Sequence, residues 1–279
     1  MAVAAVKTDK TKKVYSYLWT KGSAVRPMPE GYHFDNMQEV IPERIVRGSW
    51  GIDAGSGCGQ DTHIMAKNNL SVRIVSMDIS DGIYTNSKLN RGLPNVYAVK
   101  GSLLQIPFKD RVFDFAYSFG ALHHTADPKR GLSEISRVIR KGAPAFLYLY
   151  EDHSENPVKY IAVKIISSMR MVTVKIHPRI LYALALLCSP FIFVFFACPS
   201  KILRKFKFAK KISEEIPFNF GNSPFSLAGD LYDRFGAPVE QRFNRKEVNN
   251  MFEKCGFSGI NITRLTATAG WVAWGYKKD

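Results

Sequence analysis

The residues with the clearest chemical potential lie between positions 53 and 124. Asp53-Ala54-Gly55-Ser56-Gly57-Cys58-Gly59 places glycines at alternate positions directly after a short apolar run. A turn stripped of side chains lets backbone N–H groups approach a ligand more closely than bulky residues would allow. A dinucleotide fingerprint would need glycine where this chain has Gln60, so the nicotinamide pattern is incomplete. Asp78, followed by Ile79, ends a second apolar run 19 residues beyond Gly59. A carboxylate there can accept both hydroxyls of a ribose, or it could cap the helix that follows. Two further stretches come in order: Gly101-Ser102-Leu103-Leu104-Gln105-Ile106-Pro107-Phe108, then Phe113-Asp114-Phe115-Ala116-Tyr117-Ser118-Phe119-Gly120-Ala121-Leu122-His123-His124, with Asp127-Pro128 behind it. A neutral His123 or His124 could take a proton from an acceptor hydroxyl, and the pair could equally hold the start of a helix. The sequence offers no cluster of His, Asp and Glu at ligand spacing, so no metal is expected.

Positioning these residues requires a strand before each turn. Apolar runs at residues 50–53, 72–79, 95–99, 113–119 and 145–150 read as five short strands. Helices fall between them at residues 60–67 and 128–140, the second capped by Asp127 and ended by Lys141-Gly142. A helix over 244–254 and strands over 260–265 and 271–276, the last two as a hairpin, complete the pattern. The expected fold is α/β: a Rossmann-like, seven-stranded, mostly parallel sheet with a C-terminal antiparallel strand, plus a mainly helical insertion between strand five and the last helix. The domain reading is an N-terminal helical cap at 1–45, containing Tyr15, Tyr17, Trp19, Tyr32 and Phe34, a core at 46–151, the insertion at 152–240, and the rest of the core at 241–279.

In order and spacing, these motifs resemble the class I S-adenosylmethionine-dependent methyltransferases of the type that includes the ubiquinone and menaquinone C-methyltransferases. Their pattern runs D-x-G-x-G-x-G, then an acid, then G-D-x-x-x-L-P-F-x-D-x-x-F-D, then L-H-H-x-x-D-P. The resemblance covers about residues 49–150 and again 243–276. It implies S-adenosylmethionine as cofactor. Gly55, Gly57 and Gly59, with Ser56 in the same turn, would pass under the methionine moiety, and Asp53 would lie near its amino group. Asp78, beside Ile79, would bind the ribose. Ser102 and Leu103 would edge the adenine, while Phe119 and Gly120 would line the floor by the sulfonium. The family usually has aspartate where this chain has Ser102. A hydroxyl can still accept from the adenine amine without charge assistance, so a somewhat lower cofactor affinity is expected.

The chain has 279 residues, 46% of them hydrophobic, which suffices for one large core with a smaller cap. Cysteines at 58, 188, 198 and 255 form no C-x-x-C pair and read as reduced thiols of a cytosolic protein. The lysine-rich first thirty residues lack the apolar run of a secretory signal. The net charge of +15 is concentrated: residues 157–212 carry eleven basic residues and no acidic one, leaving 28 basic against 24 acidic residues elsewhere. These charges bracket residues 180–199, ILYALALLCSPFIFVFFACP, an uncharged stretch of twenty residues. That arrangement suits an anionic lipid surface better than a phosphate backbone, and no nucleic-acid partner is expected.

About twenty apolar residues can span a bilayer. Strands of one sheet lie before and after this stretch, however, so both of its ends must stay on one side of a membrane. The expectation is a monotopic element, bent at Pro190 into two short arms, peripheral on the cytoplasmic face. A substrate lid or dimer interface is the alternative. The acceptor is then a lipophilic or lipid-linked molecule, methylated on oxygen or carbon. The absence of an Asn-Pro-Pro-Tyr-like segment after strand four argues against an exocyclic base amine. A soluble sugar or natural product, or a non-catalytic scaffold role, are the competing readings. The layout also resembles bacterial methyltransferases of cell-envelope and polysaccharide assembly, through Leu231-Tyr232-Asp233-Arg234-Phe235 and the helix after it.

Overall fold

A computed structural model describes residues 2–22, 50–219, 221–265 and 270–279. Tyr32 and Phe34 of the expected cap lie outside these residues. The chain opens with α1 (Ala2–Tyr17), which runs into a wide π turn at Leu18–Gly22. The core then alternates: β1 (Trp50–Ala54), α2 (Gln60–Asn68), β2 (Arg73–Asp78), α3 (Gly82–Leu89), β3 (Val96–Lys100), β4 (Phe115–Phe119), α4 (Pro128–Val138) and β5 (Pro144–Tyr150). The insertion contributes α5 (Pro157–Thr173), α6 (Pro178–Leu203), α7 (Lys210–Glu215) and α8 (Ala228–Gly236). The core closes with α9 (Arg245–Lys254), β6 (Phe257–Leu265) and β7 (Gly270–Lys277).

The sheet order is β3-β2-β1-β4-β5-β7-β6. The first five strands pair in parallel, and β7 runs antiparallel between β5 and β6. This is the expected seven-stranded Rossmann-like arrangement. Alternate residues of each strand feed opposite faces. Ile52, Ala54, Ala116 and Leu147 pack with Leu132 and Ile135 of α4 and Val248 and Phe252 of α9. Ile74, Phe115, Tyr117 and Phe146 pack with Met65 and Ala66 of α2 on the other face. The strand order reverses between β1 and β4, which opens a crevice at their C-terminal ends.

Local chemistry sets the element ends. Asp127 caps α4 by accepting from Arg130 N at 2.9 Å, and Pro128 occupies the first turn. The helix stops two residues before the expected Arg140. The backbone at Val138 and Ile139 is instead drawn into bonds with Val112 and Phe113. Asn244 and Glu247 form a reciprocal capping box at α9. The helix α3 has no counterpart in the sequence reading, since its Thr, Asn and Ser residues show no apolar period.

Within the insertion, Pro190 does not split the apolar run into two arms. The helix continues from Pro178 to Leu203, passing through a π turn at Phe193–Ala197 just after the proline. Such a turn is one way a helix accommodates an extra residue where the regular ladder is interrupted. Leu181, Tyr182 and Ala185 of α6 pack with Leu231 and Tyr232 of α8 and with Leu18, forming a third cluster joined by Val14, Tyr17 and Trp19. Truncating Phe252, fully buried against Phe257, should cost about 3–5 kcal/mol. Asn244→Ala should cost only about 1 kcal/mol, and urea unfolding of the two variants will show that order if the C-terminal segment is integral to the core.

Candidate active site

The glycine turn is tied to the end of β2 by its own backbone. Gly55 N and Ser56 N both donate to Met77 O, at 2.8 and 3.0 Å, and Gly57 N donates to Asp78 Oδ2 at 2.9 Å. Asp78 Oδ1 accepts from Ser80 N at 2.7 Å. These amides are spent on the scaffold, so the turn does not present them to a ligand as the sequence reading expected. Its glycines serve close packing instead. A Cβ on Gly55, at φ +96°, would lie 2.2 Å from Ala121 Cβ, and one on Gly57 would lie 2.9 Å from the Trp19 ring. Gly59 is closed off in the same way by Asn86.

A cleft opens beside this turn. Gly55, Asp78, Ile79, Ser102, Leu103, Phe119, Gly120 and His124 all line it. Asp53, Ser56, Gly57, Gly59 and His123 do not line it. Thr8, Thr11, Tyr15 and Trp19 of the N-terminal segment form a wall that the sequence pattern did not indicate. Their aromatic content marked them only as a cap.

Asp53 lies beneath the turn, 2% exposed, and accepts from Thr62 Oγ1 at 2.5 Å. Thr62 also meets Ser76 Oγ, which accepts from Asn86 Nδ2, and Asn86 in turn reaches Ser56. Burial lifts the Asp53 pKa to about 8, against the opposing pull of the Thr62 hydrogen bond. Asp53 therefore belongs to a polar network that supports the turn. Ser102 Oγ accepts from Leu104 N at 3.2 Å, so it shapes its own turn while also lining the cleft.

The two histidines divide. His123 is fully buried and stacked on Tyr150 with ring centroids 3.8 Å apart. Burial, then the neighbouring His124 and Arg242, push its pKa well below the ordinary histidine value, so it is neutral. Its backbone carbonyl accepts from Gln241 N, anchoring the returning end of the insertion. His124 faces the cleft. Its Nδ1 lies 2.8 Å from Val239 O, which can only accept, so Nδ1 carries the proton and Nε2 is the basic nitrogen of the neutral ring.

The residues present fit an adenosyl sulfonium. Asp78 would take the ribose hydroxyls on the oxygen lone pairs left by its two backbone donors, and Ile79 and Leu103 offer apolar edges for a base. Gly120, at φ +75° with open space where a Cβ would stand, leaves a bare floor. When bound, S-adenosylmethionine supplies an electrophilic methyl group.

Comparison with known proteins agrees with this geometry. Residues 52–147 match the family model described as a methyltransferase domain. A tRNA (carboxymethyluridine(34)-5-O)-methyltransferase of Saccharomyces cerevisiae is 32% identical over 107 residues, covering 37% of this chain and 36% of its own length. A chloroplastic 2-methyl-6-phytyl-1,4-hydroquinone methyltransferase of Oryza sativa is 29% identical over 94 residues, 34% of this chain and 27% of its own length. The chain spans between 25% and 58% of the length of these and the other curated relatives it matches. In fold, a solved S-adenosylmethionine-dependent methyltransferase from Thermotoga maritima superposes with a TM-score of 0.55 at 14% identity, over 96% of this chain and 100% of that one. The fold is shared with this solved methyltransferase. Residues 52–147 resemble a methyltransferase domain, and S-adenosylmethionine is the cofactor that this resemblance implies.

Asp78→Asn would place an amide donor against a backbone N–H. The loss of a charged hydrogen bond, about 1.5–3 kcal/mol, should weaken cofactor binding about 10- to 100-fold in calorimetric titration. A second expectation concerns pH. A carboxyl whose folded pKa is raised contributes stability below its unfolded value, and loses it as pH climbs through the folded one. Wild type should therefore lose stability relative to Asp53→Asn between pH 4 and about 8, and no further above it. His123 and His153, whose pKa values burial lowers, gain stability as pH rises through the ordinary histidine range. Subtracting the melting curves of Asp53→Asn removes their contribution.

Proposed function

We propose that the protein transfers the methyl group of S-adenosylmethionine to a lipophilic or lipid-linked acceptor while peripherally bound to the cytoplasmic face of a membrane. The observation that carries the membrane part is the two-sided character of α6. Leu181, Tyr182, Ala185 and Ser189 are buried against the rest of the protein. Ile180, Leu184, Leu187, Phe191, Val194, Phe195 and Ile202 recur at helical spacing on the solvent side, with Leu187 68% and Phe195 69% exposed. On α5, Val158, Ile161, Ile165, Met169 and Val172 form a similar exposed stripe. Contiguous apolar surface of this kind marks an interaction site, and the flanking charge is entirely basic from residue 157 to 212. Each such charge near an anionic lipid surface contributes about 1 kcal/mol.

Methyl transfer from a sulfonium is a direct displacement, and aligning the partners can be worth roughly 7–11 kcal/mol. The cleft walls serve that purpose. The helices α5 and α6 both pack on α8. Through the third apolar cluster α6 also meets α1, which lines the cleft. An acceptor drawn from a membrane would reach the cleft past the same elements that touch the lipid. The resemblance to tRNA and hydroquinone methyltransferases lies in the shared cofactor core, whereas the acceptor is chosen by the insertion.

Flotation with anionic liposomes tests the membrane part. Leu187, Phe191 and Phe195 changed together to Ser leave the buried face intact, and should lower vesicle binding at least tenfold without lowering the melting temperature. Equal flotation of variant and wild type, or failure of wild type to float, would leave a soluble sugar or natural product as acceptor and the insertion as a lid.

A further inference from the structure

On the acceptor side of the cleft, three elements distant in sequence meet. His124 follows β4, Tyr15 comes from α1, and Asp233 comes from α8 in the insertion. The Tyr15 and His124 rings are 5.2 Å apart. Tyr15 donates its hydroxyl proton to Asp233 Oδ1 at 2.6 Å, and the Tyr150 hydroxyl lies 3.4 Å from Oδ2 of the same carboxylate. Asp233 is itself 8% exposed. Burial and then the facing carboxylate hold the Tyr15 phenol well above its ordinary pKa, so it remains a hydroxyl that donates to Asp233 and can accept from a bound molecule.

We propose that His124 is the general base for an acceptor hydroxyl, and that Tyr15 and Asp233 are the positioning pair that hold this hydroxyl and the imidazole in register. The inference rests on the methyltransferase reading and narrows it: the atom methylated is an oxygen, and the acceptor is an alcohol or phenol. As the acceptor oxygen forms its bond to the methyl carbon, the carbon–sulfur bond breaks and its electron pair stays on sulfur, leaving a neutral thioether. The hydroxyl proton passes to His124 Nε2, which becomes imidazolium. Val239 O continues to accept from Nδ1–H, so the ring keeps its orientation in both charge states.

The charged and titratable groups facing His124 are identifiable. His123 lies beside it at 4.3 Å between rings, and the Tyr150 ring is 5.5 Å away. The Arg242 guanidinium sits 5.0 Å from the centroid of that Tyr150 ring. Glu240, nearby in the chain, is paired with both Arg170 and Arg242 at 2.8 and 2.7 Å. Asp233 meets this group of rings through the Tyr15 hydroxyl.

The test uses the full chain with methyl-tritiated S-adenosylmethionine and, as acceptor source, a total lipid extract supplemented with soluble metabolites. His124→Gln should reduce transfer about 10²- to 10⁴-fold while cofactor affinity by calorimetry stays within twofold. The labelled product should be an O-methyl compound. Tyr15→Phe, with Asp233→Asn as a second variant, should raise KM for the acceptor about tenfold, as the loss of one orienting hydrogen bond allows, while cofactor affinity stays unchanged. A purely structural role would lower cofactor affinity and melting temperature together and leave KM for the acceptor in place. On wild type without acceptor, ¹⁵N spectra of the imidazoles should show His124 as the Nδ1–H tautomer. Label on carbon or nitrogen, an active His124→Gln, an unmoved KM in both positioning variants or the opposite tautomer would each overturn the proposal. Failure of the wild type to bind S-adenosylmethionine would instead overturn the reading beneath it.

Discussion

The site depends on the bonds that fasten the glycine turn to the tip of the second strand. Met77 O takes two amides of the turn, and Asp78 takes a third while holding Ser80 on its other oxygen. A carboxylate fixed by two backbone donors cannot swing away, so it stands ready for hydroxyls without an entropic cost at binding. The glycines let the turn lie flush between Trp19, Ala121 and Asn86. The buried chain Asp53, Thr62, Ser76, Asn86 supports it from below, where unmatched polar groups would be costly.

Around this fixed centre the insertion packs against the N-terminal helix that walls the cleft. The helix α8 carries Asp233 to the hydroxyl of Tyr15, a residue of the cleft wall, and Leu231 and Tyr232 toward α6. The buried Arg170 of α5 reaches both Glu240 and the carbonyl of Arg234, binding that helix to the same assembly. The third apolar cluster, separate from the two that flank the sheet, therefore organises the N-terminal helix, the cleft wall and the inner side of the apolar helix at once.

Much of the fold was legible because it obeys local rules. Short apolar runs ending in Gly or Asp gave the strands, and Asp127-Pro128 and Asn244 with Glu247 gave helix starts. The turn with Asp78, Ser102, Leu103, Phe119 and Gly120 was legible for the same reason, since each sits at the end of a strand. Direction was harder. Asp53 precedes the turn, but strand alternation points its carboxyl under the loop, and His123 and His124, adjacent in sequence, face opposite environments. Tyr15 and Asp233 could not be paired from the sequence, being 218 residues apart with only tertiary packing between them. The weak period of α3 and the π turn that carries α6 past Pro190 were likewise decided by packing.

The two ends of the insertion leave and rejoin the core side by side. Phe243 N donates to Tyr150 O at 2.9 Å, Asp152 N donates to Phe243 O at 3.1 Å, and Trp271 Nε1 reaches that same carbonyl. A stitch of this kind lets the intervening segment change length or character without disturbing strand registry. One sheet could thus be fitted with different insertions by exchange between these two neighbouring points, much as a tool handle accepts different heads.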